Sequence, residues 1–173
     1  MILRTVFSTL LAALAAITIA APAAAQTVTE LGAHTDWYTF RFEEGGNPVC
    51  YMASKPTEER GDYSRRGDVF AMVTHRPAEG SRSVFSYIAG YTYQENATAS
   101  ATIDDDDSYE LFTVDGNAFS RDEAMDDDLI ASMRAGLDMV VVGASARGTV
   151  TTDTISLRGL TAAYNQITEA CGL

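Results

Sequence analysis

Residues 137–171, LDMVVVGASARGTVTTDTISLRGLTAAYNQITEAC, constrain the fold more than any other stretch of the chain. Met139 to Ala144 is its most apolar strand candidate. A turn of small residues follows, and Val150 to Leu157 returns as a threonine-rich strand. Leu160, Ala163, Tyr164, Ile167 and Cys171 then fall at i, i+3, i+4, i+7 and i+11, one stripe of an amphipathic helix. A hairpin and a one-sided helix cannot bury their apolar faces alone, so the preceding residues must supply the surfaces they pack against.

The chain opens Met1-Ile2-Leu3-Arg4 and continues with an uncharged, Ala- and Leu-dominated run to Ala25. A short basic start, an apolar middle and the small-residue ending Ala23-Ala24-Ala25 describe a secretory signal peptide over residues 1–25, cut before Gln26. The mature chain, residues 26–173, is the length of one domain. Losing Arg4 with the leader takes the formal charge from −12 to −13, because all 24 Asp and Glu lie downstream of the leader. Such a surface repels nucleic acid and anionic lipid on average. After cleavage no stretch is long and apolar enough to span a membrane.

Two cysteines remain, Cys50 and Cys171. An even cysteine count in an exported chain predicts a disulfide, and the helix stripe turns Cys171 toward the core. A loop of about 120 residues closed in this way has a chain-entropy stabilisation of roughly 4–5 kcal/mol as an upper figure. The two are too far apart in sequence for a CxxC redox site, so their role is structural.

Upstream, the alternation of Trp37 to Phe42 predicts a half-buried strand, and Val49 to Ala53 a second one carrying Cys50. Asp68 to His75, Ser83 to Tyr93 with a bulge at Gly90, Ala99 to Ile103, Tyr109 to Val114 and Asn117 to Phe119 complete the strand set. Asp115-Gly116 marks a tight hairpin turn. Residues 26–36 read as a loose lead-in, and Pro56 to Gly67 as a mobile polar loop. Ser120-Arg121-Asp122-Glu123 has the form of a capping box with Ser120 as N-cap. The helix it opens carries Met125, Leu129, Ile130 and Met133 on one face and stops at Gly136. The expected class is mainly β: an antiparallel β-sandwich-like single domain with one mid-chain helix and one C-terminal helix.

No catalytic, cofactor-binding or metal-binding set emerges. Asp104, Asp106, Ser108 and Glu110 alternate, but no glycine follows where a calcium loop needs one, and Asp126 to Asp128 splays around a helix, so both runs read as solvated charge. His34 and His75 stand in no recognisable catalytic motif. The stripe Phe85, Tyr87, Tyr91 and Tyr93 fits a core face better than a stacking platform. Two Arg-Gly-Asp tripeptides, Arg60-Gly61-Asp62 and Arg66-Gly67-Asp68, make residues 56–67 and their margin the candidate interaction loop, with an exposed part of the Tyr-rich strand as the alternative surface.

The order of Trp37, Cys50, Ala53-Ser54, Arg66-Gly67-Asp68-Val69, His75-Arg76-Pro77, Ala144 to Thr149, Thr152 to Leu157 with Gly159, and Cys171 resembles the invasion-associated locus B family of small exported Gram-negative proteins. The resemblance covers nearly the whole mature chain. It implies a β-sandwich-like fold, a periplasmic or outer-membrane-associated location and, in some pathogenic members, a link to host-cell entry; it brings no catalytic residues. The expected function is therefore a non-enzymatic periplasmic or envelope interaction protein with an unidentified protein or envelope partner and no cofactor. The alternatives are a secreted or surface-exposed adhesion or invasion factor, and an enzyme or enzyme inhibitor whose site is assembled across loops.

Overall fold

The computed structural model describes residues 27–173. The expected signal peptide lies outside the described residues. Eleven strands and two α-helices follow in order: β1 (Thr29–His34), β2 (Trp37–Glu44), β3 (Asn47–Ser54), β4 (Glu58–Gly61), β5 (Phe70–Arg76), β6 (Ser81–Ile88), β7 (Thr98–Ile103), β8 (Asp107–Val114), β9 (Asn117–Phe119), α1 (Glu123–Ala135), β10 (Asp138–Ala144), β11 (Val150–Ser156) and α2 (Leu160–Ala170). The strands form one antiparallel sheet in the order β1-β2-β3-β5-β6-β9-β8-β7-β10-β11-β4.

That sheet doubles back on itself. The three-residue β9 joins β1-β2-β3-β5-β6 to β8-β7-β10-β11-β4, and the far ends of the two halves meet. Trp37 of β2 donates its indole N–H to the Ser156 carbonyl of β11 at 3.0 Å, and the Asp36 N–H reaches the Arg158 carbonyl. Between the halves lies one continuous core. Trp37, Met52, Val73 and Phe85 from one half meet Leu111, Met139, Val141 and Ile155 from the other, with Leu129 and Met133 of α1 and Leu160 and Ile167 of α2. The class expected from the sequence is the one observed, with a single folded sheet in place of two separate ones.

The stripe of α2 faces inward as its spacing predicts, and Cys171 is bonded to Cys50 of β3 with Cα atoms 5.9 Å apart. Gly159 opens this helix at φ 89, and a Cβ there would collide with the His34 carbonyl oxygen, so only glycine fits.

Several local expectations are corrected. β1 occupies the supposed lead-in, and β4 lies inside the supposed mobile loop. The two form the outer edges of the sheet, and β4 is exposed along its whole length, so neither carries an alternating apolar pattern. The strand read as Ser83 to Tyr93 ends at Ile88. Gly90, at φ 72, turns the chain where it crosses Gly67, whose N–H donates to the Gly90 carbonyl at 2.8 Å. The N-cap of α1 is Asp122, whose carboxylate accepts the Met125 N–H at 2.9 Å; Ser120 is buried and lies before the helix. The helix does stop at Gly136, which is in extended backbone and serves a close approach to Ile103.

The acidic runs do internal work. Asp104 accepts the N–H groups of Leu137 and Asp138, latching the β7–β8 turn onto the start of β10. Asp126, expected among solvated charges, is buried and accepts the Phe85 N–H on the side of β6 where β9 no longer pairs with it. Burial raises its carboxyl pKa, and the Phe85 hydrogen bond opposes that rise.

Candidate functional site

A cleft of about 560 Å³ lies at the end of the domain marked by the β10–β11 turn. Three segments make its walls. Residues 62–66 follow β4, Tyr91 and Thr92 extend past β6, and residues 145–149 form the turn between β10 and β11.

Each wall is fixed by its own local chemistry. In the β10–β11 turn, Ser145 accepts the N–H groups of Arg147 and Thr149 on its hydroxyl, and Gly148 adopts φ 80 to close the loop. The Ala146 N–H then docks on the Thr92 carbonyl at 2.8 Å. The Tyr93 N–H is taken by the Asp115 carbonyl, so the β8–β9 hairpin tip holds the second wall.

The third wall hangs on Arg66. Its guanidinium places both terminal nitrogens on the carboxylate oxygens of Asp153, at 2.6 and 2.7 Å, and its Nε on the Ala89 carbonyl at 2.7 Å. Glu59 lies 3.5 Å away, and the Tyr87 hydroxyl donates to Asp153 from the core side. The Tyr63 and Tyr91 rings flank the cation at 5.5 and 5.1 Å. The Arg66 and Asp153 side chains are only 3% and 1% exposed. Burial alone would lower the Arg66 pKa, but the hydrogen bonds and charge of Asp153 overcome it and hold the cation above its ordinary value. Burial, reinforced by the bond to Asp153, likewise keeps the Tyr87 phenol protonated. With its donors spent on protein, Arg66 anchors the 62–68 segment to β11 and offers little to a ligand.

Arg65 and Arg147 differ from it. Both are exposed, both line the cleft from different walls, and neither makes an ion pair among the described residues. Asp62 is the one acid in the lining, and Ser64, Thr92, Ser145, Thr149 and Thr151 add hydroxyls. In a chain with twice as many acidic as basic residues, 24 against 12, a cleft with this balance is a local reversal of charge.

Of the candidate interaction residues, Arg60 and Gly61 belong to β4, paired with Thr152 and Thr151 of β11. Arg60 is bound twice by Glu58. Asp62 enters the cleft, Arg66 is buried, Gly67 is at the crossing with Gly90, and Asp68 pairs with Lys55 at 3.0 Å. The first tripeptide therefore lies along a strand and the second is anchored through its arginine. Neither crowns a loop.

His75 is fully buried beside the disulfide. Its Nδ1 accepts the Ser83 N–H at 2.9 Å, and its Nε2 donates to the Thr168 hydroxyl at 3.1 Å, since that hydroxyl gives its own proton to the Tyr164 carbonyl. Burial, helped by the charge of Arg82, lowers its pKa from 6.5 to about 4. His34 bonds Gln166 at 2.7 Å. Both histidines are thus committed to scaffold partners, with no carboxylate in hydrogen-bonding contact among the described residues.

Sequence reasoning missed the Arg66–Asp153 clamp, whose members lie 87 residues apart. One signal pointed to it: in Thr151-Thr152-Asp153-Thr154-Ile155, the aspartate shares the inward face with Ile155 and so required a buried partner.

Residues 37–168 match the family model described as Invasion associated locus B (IalB) protein. No curated protein and no solved structure matches the chain. The matched span contains all three walls of the cleft and the whole clamp. Among the described residues, no helix is long and apolar enough to cross a membrane.

Proposed function

The chain belongs to the invasion-associated locus B family, and from that premise we propose that it is a non-enzymatic binding protein of the cell envelope, working in the periplasm through the cleft between residues 62–66, 91–92 and 145–149. The observation that carries this reading is the pairing of two uncommitted arginines, Arg65 and Arg147, on walls that a buried ion pair and a hydroxyl-bonded turn hold in place. Preorganised walls lower the ordering cost of binding, which is what a recognition site gains from such support. The leader and the Cys50–Cys171 bond support export to an oxidising compartment.

Absence of catalysis is part of the proposal. Its support is that both histidines hold scaffold hydrogen bonds and neither lines the cleft. The adhesion reading draws little from the tripeptides, because recognition of Arg-Gly-Asp needs a loop tip and these lie on a strand and at a buried clamp.

Native mass spectrometry of the protein isolated from periplasm tests the reading. The wild-type chain is expected to carry a bound species that the double variant Arg65→Glu/Arg147→Glu loses. A control double variant at two arginines outside the cleft with no ion pair among the described residues, Arg82→Glu/Arg158→Glu, retains it. Equal loss in both variants, or no bound species in any, refutes the assignment of the cleft.

A further inference from the structure

The lining of the cleft is specific enough to name a ligand class, and the inference rests on the cleft being the binding site. Its uncommitted groups are of three kinds: the Arg65 and Arg147 cations, the Asp62 carboxylate, and the hydroxyls of Ser64 and Thr92. Asp62 pairs with neither arginine among the described residues. A compact inorganic anion wants donors alone, and an ionised carboxylate, which only accepts, repels it. A neutral sugar leaves two arginines unanswered. A peptide long enough to be read by its backbone would need an open strand edge or a long groove; the edge strand β4 ends before the cleft and none of its residues lines it, and the cleft holds about 560 Å³ and is walled on three sides.

One chemistry answers all three kinds of group. A carboxylated sugar presents an anion to arginine, donor hydroxyls to Asp62, and acceptors to serine and threonine. The polar lining and disaccharide-scale volume suit it, and the half-buried rings of Tyr63 and Tyr91, which line the cleft and hold Arg66, add apolar surface for the C–H groups of a pyranose. We infer that the cleft binds an acidic saccharide, its carboxylate between Arg65 and Arg147 and its hydroxyls toward Asp62. Asp62 is the discriminating residue: it excludes bare anions and selects hydroxyl-bearing ones.

Titration of the disulfide-bonded mature protein, followed by amide chemical shifts and calorimetry, tests this with three probes: trigalacturonate, a neutral galactose trisaccharide and inorganic phosphate. Trigalacturonate is expected to shift the amides of Arg65, Thr92 and Arg147, and to bind more tightly than the neutral sugar by about tenfold or more, the scale of one charge-assisted contact. Arg65→Gln and Arg147→Gln each weaken it by a similar factor, Arg82→Gln leaves it unchanged, and Asp62→Asn weakens it as well. Phosphate does not displace it. If phosphate competes and Asp62→Asn tightens binding, the cleft is a simple anion site and the saccharide assignment is overturned while the binding reading stands. If no probe shifts cleft amides, the assignment is overturned, and the periplasmic ligand experiment decides the binding reading separately.

Discussion

Two buried polar clusters hold this molecule together, and they are built on opposite principles. Around Arg66 and Asp153, opposite charges are paired and hydrogen-bonded between a cleft wall and β11. Around His75, Ser83, Tyr164 and Thr168, the titratable group is kept neutral by burial, and the cluster is sealed under α2 beside the disulfide. The first fixes a segment whose neighbours face solvent. The second stitches scaffold to scaffold. The difference separates residues that shape a site from residues that close a core, though both are buried and polar.

The covalent side of the comparison is expected to break hardest. Replacing Cys50 and Cys171 together by alanine removes a crosslink spanning 121 residues, with an expected loss of about 4–5 kcal/mol at most, read as a lower urea midpoint. The cleft amides of that variant should keep their shifts once it is folded, because the crosslink lies at the other cluster.

Asp153→Ala comes next. It leaves a buried guanidinium without its partner, and losses of about 3–5 kcal/mol follow from such truncations. Hydrogen exchange should show residues 62–68 losing protection before the α2 region does. The paired replacement Arg66→Met/Asp153→Leu should recover most of the stability but not the order of the 62–66 wall. Equal destabilisation by the single and paired changes would contradict the clamp.

The neutral cluster is exposed through pH. His75 titrates near 4 in the fold and at 6.5 ordinarily. Between those values the unfolded chain binds the proton and the folded one does not. Stability is therefore complete above about pH 6.5 and declines as pH falls toward 4, by about 3 kcal/mol at the upper limit for a group so buried. Asp126, whose carboxyl burial raises, contributes with the opposite sign at acid pH. The comparison of wild type with His75→Gln isolates the histidine, and a variant with the same pH slope as wild type would show that His75 is not the cause. The smallest effect belongs to neither cluster: Asp122→Ala removes the α1 cap, at a cost of about 1 kcal/mol in thermal or urea unfolding.

What could be read in the sequence was what local periodicity records. The central strands and both helix faces announce themselves because each buries one side, as in Met139 to Ala144 and the stripe ending at Cys171. β1 and β4 stayed hidden because an edge strand with no buried face has no pattern to show. The cap of α1 was misplaced because Ser120 and Asp122 are both competent caps, and where β9 releases the chain decides between them. The cleft was out of reach for a different reason. Its walls come from three distant segments, and Arg66 sits in a tripeptide whose resemblance to an exposed signal points away from its buried role.

β4 has one more consequence. An unpaired sheet edge invites a strand from another chain, and the usual protections are charge, brevity and irregularity. β4 is four residues long and reads Glu58-Glu59-Arg60-Gly61, while β1 at the opposite edge breaks register at Gly32. Arg60 and Gly61, which invite reading as an adhesion signal, thus belong to a short, charged border that discourages this β-rich protein from polymerising in a crowded compartment.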